Sequence, residues 1–205
     1  GLIGHLRDHG HDYDLVLFWT YRYATTYDGL PLVADRAVLL PTAEEDPAID
    51  LRVLQDFFAR PAGFIFLTPE EDALVSTRAG RALHPSTIIG SGLDPAPASP
   101  GDRSALDALG LPARFVLYLG RIDRNKGCEM LLEYYRAYLD EGGDTPLVLA
   151  GPSTLIIPDD PRVRALGYVS DAVREALLTH AALLVVPSPY ESLSMVLLEA
   201  WNHGT

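Results

Sequence analysis

The cations Arg121 and Lys126 in one short loop, and two carboxylates with seven residues between them in another, are the features of this sequence best suited to chemistry. The cations sit in Val116-Leu-Tyr-Leu-Gly-Arg-Ile-Asp-Arg-Asn-Lys-Gly127. An apolar run ends at Gly120-Arg121, a polar loop follows, and Lys126-Gly127 leads into an amphipathic helix. Two cations after a strand end form a diphosphate clamp: Arg forks onto two oxygens and Lys acts as a point charge. Lys126 is the only lysine among 205 residues, and the other 15 of the 16 Lys and Arg residues are arginines. A chain that uses Arg everywhere else keeps Lys here, which points to a chemical need at this position.

The carboxylates are Glu191 and Glu199, in Pro187-Ser-Pro-Tyr-Glu-Ser-Leu-Ser-Met-Val-Leu-Leu-Glu199. The apolar run 181–186 before them is short enough for a buried parallel strand. Pro187, Ser188 and Pro189 end it, and from Ser192 the spacing of Leu193, Val196, Leu197 and Ala200 is helical. This puts Glu191 in the turn, facing the positive end of the helix dipole, with Glu199 further along the same helix. Open α/β sheets bind ligands where a strand's carboxyl end feeds a helix N-terminus, and the N–H groups there suit phosphate. A capping carboxylate plus a surface glutamate is the plainer reading of the same pair.

Composition narrows the field. Hydrophobic residues at 48% and charged residues at 21% are globular values. A net charge of −12 opposes nucleic-acid binding, which depends on cationic neutralisation of phosphates. It also disfavours adhesion to anionic lipid. One cysteine, Cys128, leaves no internal disulfide and fits a reducing cytosol. No apolar run approaches a membrane span, and no signal peptide is visible, so a cytoplasmic location is expected. His5, His9 and His11 have a spacing that can ligate a metal, but residues 1–12 read better as a solvated connector.

Strand-like and helix-like stretches alternate along the chain. Strands are expected at residues 13–19, 36–40, 63–67, 87–89, 116–119, 147–150, 163–166 and 183–186. Helices are expected at 48–60 with Leu51, Leu54, Phe57 and Phe58 inward, after Thr68 as N-cap, and at 103–109, 128–139, 171–178 and 193–202. This rhythm predicts parallel sheets covered on both faces. Residues 94–101, with Pro95, Pro97 and Pro100, have linker composition. The aromatics Trp19, Tyr21, Tyr23 and Tyr27 after the first strand fit sugar stacking or plain packing. Gly90-Ser-Gly92 is not a dinucleotide fingerprint, since Pro95 replaces the third glycine.

Together the two motifs resemble the retaining GT-B glycosyltransferases of family 4, the group 1 transferases. These carry a G-R-x4-K-G element and later an E-x7-E element framed by P-S and L-E-A. This chain reads Gly120-Arg121…Lys126-Gly127 and Pro187-Ser188…Glu191…Leu198-Glu199-Ala200, with Leu147-Val-Leu-Ala-Gly151 and Leu166-Gly-Tyr-Val-Ser170 between. The resemblance is fullest over residues 113–205. It implies an α/β chain of GT-B type, with two Rossmann-like domains of parallel sheets, both incomplete here. Residues 1–93 would be the later part of an acceptor-side domain, 94–112 a linker, and 113–205 the donor-binding domain; the Gly1 start and Thr205 end lead to the expectation of an internal fragment.

By the same resemblance, Arg121 and Lys126, beside Gly120, hold the donor diphosphate and offset leaving-group charge, without a metal or a cofactor. Glu191 lies by the transferred sugar and is catalytic together with the two cations. Ser192, Leu193 and Ser194 present backbone amides, and Glu199 binds the donor ribose. Tyr168 and Val169 fall where the family places the nucleobase, although Tyr168 is equally readable as a core aromatic. The partners implied are a nucleotide-sugar and a sugar or lipid-linked acceptor, with peripheral membrane contact through regions outside this chain; oligomeric state stays open. The first half departs from the pattern. Where relatives carry a histidine facing the donor sugar, residues 41–46 offer Glu44 instead, and the glycine-rich acceptor loop is absent. A catalytically silent nucleotide-sugar-binding or partner-binding domain therefore stands as an alternative, as does an epimerase or phosphorylase on the same plan.

Overall fold

The computed structural model describes residues 1–95 and 102–205. Pro97 and Pro100 of the expected linker lie outside the described residues. The chain divides into two compact units, Gly1–Gly92 with Tyr190–Leu193, and Leu93–Pro189 with Ser194–Thr205.

The first unit is built on strands β1 Val16–Trp19, β2 Ala37–Leu40, β3 Gly63–Phe66 and β4 Ser86–Ile88. All pairings are parallel, in the order β1-β2-β3-β4. Helices α1 Leu2–His9, α2 Ala24–Gly29, α3 Arg52–Phe58 and α4 Pro69–Ala79 accompany them. Phe18, Leu39, Phe58, Phe64 and Phe66 form the core with Tyr21, which is buried, whereas Trp19 and Tyr23 are exposed.

Two expectations need correction here. Residues 1–12 are not a connector: α1 occupies most of them, because Leu6 and Ile3 supply one narrow apolar stripe that packs on Gly29. A mostly polar composition hides a stripe so thin. His5 bonds Tyr13 and His9 pairs with Asp12; among the described residues no three His, Cys, Asp or Glu side chains are grouped to hold a metal. Residues 48–60 are not one helix either. The Asp46 carboxylate accepts from the Ala48 and Ile49 N–H groups and starts a tight turn, Pro47–Asp50. The chain then extends at Leu51, leaving it exposed, and helix resumes as α3 to bury Leu54, Phe57 and Phe58.

Thr68 caps α4 as expected, accepting from Glu71 N at 3.1 Å. Glu71 itself is only 2% exposed. One of its oxygens accepts from Ala43 N at 2.7 Å and the other from Leu67 N at 2.6 Å, tying the loop after β2 to the end of β3. Burial pushes this carboxyl above its ordinary range, with the two N–H groups opposing the shift.

The second unit contains β5 Val116–Leu119, β6 Leu147–Ala150, β7 Val163–Gly167 and β8 Leu183–Leu184. They pair in parallel in the order β7-β6-β5-β8. Its helices are α5 Ser104–Ala108, α6 Cys128–Asp140, α7 Asp171–His180 and α8 Met195–His203. Strand periodicity splits β6 between two cores. Val148 and Ala150 pack with Ala176, Leu177 and Ala200 of α7 and α8, while Leu147 and Leu149 pack with Leu131 and Tyr135 of α6. A strand buried on both faces must be apolar throughout, as this one is. β8 is two residues long rather than four, and α8 begins at Met195 rather than Leu193, with Leu198 N bonding the carbonyl of Ser194.

Glu71→Gln leaves one backbone N–H facing an amide NH2 instead of an oxygen, and should cost about 1–3 kcal/mol. Because the folded pKa is raised, the wild-type contribution is complete below the ordinary carboxyl value of 4.5 and is lost as pH rises through the folded value. Urea unfolding of both proteins at pH 4 and pH 7 should therefore show a gap that narrows at the higher pH.

Candidate functional site

The site grows from the carboxyl ends of β5, β6 and β7. Gly120 follows β5 with φ 148°, and Gly151 follows β6 with φ 138°, both in the region that glycine tolerates best. Gly120 N donates to Ala150 O at 2.9 Å and Gly151 N to Gly167 O at 2.8 Å, so the three strand ends stay laced past the regular ladder. A Cβ on Gly151 would lie 2.0 Å from the carbonyl oxygen of Gly120. No other side chain fits there.

Arg121 emerges from this junction with its backbone held and its head exposed. Its carbonyl accepts from the Tyr118 hydroxyl at 2.5 Å and lies 3.8 Å from Cys128 Sγ. Burial pushes the Cys128 thiol up, so this buried group stays protonated and structural. The guanidinium is largely exposed, with Nη1 3.4 Å from the Asp123 carboxylate. Asp123 was not singled out from sequence, yet it shapes the loop: its side chain accepts from Lys126 N at 2.8 Å and its carbonyl from Cys128 N at 3.2 Å. Lys126 is half-buried. Gly127, at φ 71°, opens α6, and a Cβ there would lie 2.2 Å from Pro187 O. The cationic loop and the start of the Pro187 motif thus touch through bare backbone.

A cleft of about 620 Å³ opens along these strand ends, within the second unit. Gly120 and Arg121 line it after β5, and Gly151 after β6. Tyr168 and Val169 line it after β7, and Met195, Val196 and Glu199 from α8. Tyr168 is 90% exposed, which overturns its reading as a core aromatic, and it lines the cleft. Of the residues singled out from sequence, the structure brings Gly120, Arg121, Tyr168, Val169 and Glu199 into one wall. Lys126 is not in that wall. Ser194 sits at the N-cap of α8, beside wall residue Met195. Glu191, Ser192 and Leu193 fall in the 190–193 segment grouped with the first unit.

Two wall residues escaped the sequence reading, Asp171 and Arg174. Their signal was present: Ser170 is the N-cap of α7, accepting from Val173 N, and a cap fixes helix phase so that residues three apart share a face. Arg174 Nη2 makes an ion pair with Glu199 Oε2, and Nη1 lies 3.6 Å from Glu175. The cleft therefore offers a reachable guanidinium, a paired carboxylate and a free aromatic face. Such a set suits an oxyanion, a pair of hydroxyls and a planar ring respectively.

Residues 113–205 match the family model described as Glycosyl transferases group 1. An alpha-D-kanosaminyltransferase of Streptomyces kanamyceticus is 33% identical over 94 residues, covering 41% of this chain and 24% of that protein. Among solved structures, HepE of Anabaena in complex with UDP superposes with a TM-score of 0.75 at 20% identity, over 99% of this chain and 61% of that one. Sucrose-phosphate synthase of Thermosynechococcus elongatus gives a TM-score of 0.75 at 22% identity, over 98% of this chain and 56% of that one. The fold is that of the GT-B glycosyltransferases. The chain spans less than two thirds of each of these proteins.

Gly151→Ala meets both a positive φ and the Gly120 carbonyl. It should destabilise the second unit by more than about 2 kcal/mol, combining backbone strain with overpacking. Guanidinium unfolding followed by hydrogen exchange at β5 and β6 amides would show whether the loss is confined to that sheet.

Proposed function

With residues 113–205 matching the family model of the group 1 glycosyltransferases, we propose that the chain carries the donor-binding half of an enzyme that moves a sugar from a nucleotide-sugar to an acceptor with retention of configuration. The observation that carries this reading is the shared cleft wall: Arg121 at the end of β5, Tyr168 at the end of β7 and Glu199 on α8. In this reading Tyr168 and Val169 flank the nucleobase, Glu199 accepts from the ribose hydroxyls, and Arg121 receives the diphosphate. When the bond to the anomeric carbon breaks, negative charge grows on the departing diphosphate. Arg121 stabilises it as a fork and Lys126 as a second positive charge, so the charge balance needs neither a metal nor a cofactor. Glu191 acts at the transferred sugar, with the Ser192, Leu193 and Ser194 backbone beside it.

The acceptor is a sugar or a lipid-linked molecule. Among the described residues no helix is long and apolar enough to cross a membrane. UDP-sugars are the first donors to assay, because HepE was solved with UDP and with UDP and glucose.

Nucleotide diphosphates at 100 times their dissociation constant should raise unfolding stability by about 2.7 kcal/mol. In the full-length protein, Arg121→Ala or Lys126→Ala should lower transfer roughly 10²–10³-fold, by analogy with the loss of a charge-stabilising donor. Stability should move by at most about 1 kcal/mol, since exposed ion pairs contribute little. Glu199→Gln should weaken donor binding more than turnover. Donor affinity and turnover that survive loss of both cations would overturn the assignment; binding without any transfer would favour a silent nucleotide-sugar-binding domain.

A further inference from the structure

We propose that Arg174 is a positioning residue, holding the Glu199 carboxylate so that it accepts two ribose hydroxyls of the donor; the inference rests on the donor-site reading above.

Glu199 alone is poorly suited to that task. Its side chain has several rotatable bonds, and its charge stands in a cleft meant for a diphosphate, where like charges repel. Arg174 answers both problems. The Ser170 cap sets the phase of α7 so that Arg174 reaches the cleft wall, and its Nη2 pairs with Glu199 Oε2. A carboxylate has about four acceptor positions. The pair occupies one side of Oε2 and leaves Oε1 for hydroxyls.

Arg174 is itself held from behind. Its Nη1 lies 3.6 Å from Glu175 Oε1, and Glu175 Oε2 lies 3.0 Å from His203 Nε2, on the last residue of α8. His203 is nearly buried, with Nδ1 3.2 Å from Thr179 Oγ1, whose own proton goes to the Glu175 carbonyl at 2.8 Å. Glu199, Arg174, Glu175 and His203 thus form one continuous row across the packed faces of α7 and α8. A guanidinium paired with one carboxylate and lying close to a second loses less freedom when a ligand arrives, so the carboxylate it pairs with is pre-organised.

The test compares a ribonucleoside diphosphate with its 2′,3′-dideoxy analogue, using the full-length protein, isothermal titration, and the tightest binder among UDP, ADP and GDP. Wild type should prefer the ribonucleotide about tenfold or more, the scale of a lost hydrogen bond to a charged group. Arg174→Ala should lose most of that preference, weakening the ribonucleotide more than the dideoxy nucleotide, and Arg174→Lys should recover part of it, since Lys restores charge without the fork. In steady-state assays the donor KM should rise with kcat nearly unchanged. Retained preference in Arg174→Ala overturns the proposal. So does an equal loss for both nucleotides, which would mean that Arg174 touches the phosphates or supports the fold alone. A wild type that binds nucleotide without any ribose preference overturns the ribose role of Glu199, and the positioning role with it.

Discussion

The bare backbone of Gly151 against the Gly120 carbonyl sets the rest of the second unit. With no Cβ in the way, the ends of β5 and β6 close to a separation that no side chain permits, and the bonds Gly120 N to Ala150 O and Gly151 N to Gly167 O follow. That closure fixes where Arg121 leaves the sheet. Tyr118 and Cys128 then hold the Arg121 carbonyl from below, and Asp123 folds the loop back toward α6. Gly127 repeats the device against Pro187, so the two motifs, about sixty residues apart in sequence, meet through main chain. Bare backbone at strand ends is a familiar way to bring a chain close to phosphate.

Electrostatics refine what this backbone sets in place. A cleft that is to receive an anion would gain from Arg121 and lose from any unpaired carboxylate. Glu199 and Asp171 are both in the wall, and Arg174 stands with them, paired to Glu199. The net acidity of the chain is thereby kept from dominating this cleft. In the first unit a carboxylate serves structure instead: Glu71, buried between two strand ends, supplies acceptors to backbone N–H groups that would otherwise be stranded.

Legibility in the sequence followed the strength of the local signal. β6 was readable to the residue, because a strand buried on both faces has no polar position to blur it. α1 was missed because its buried stripe is nearly one residue wide, and the break at Leu51 was missed because a helical apolar spacing runs straight through it. Asp171 and Arg174 were missed for a different reason. Each reads locally as an ordinary charged helix residue, and only the packing of α7 on α8 brings Arg174 to Glu199.

Sequence alone determined the alternation of strands and helices, the glycines at the strand ends and the types of group offered there, because each is set by short-range rules: side-chain periodicity, positive φ, and charge at a helix or strand terminus. Tertiary structure decided which of those groups share a wall. It put Tyr168 outside the core and gave Glu199 a partner from another helix. These outcomes depend on how far apart parallel strands end and how two helices cross over them, and residues distant in sequence meet only once that packing exists.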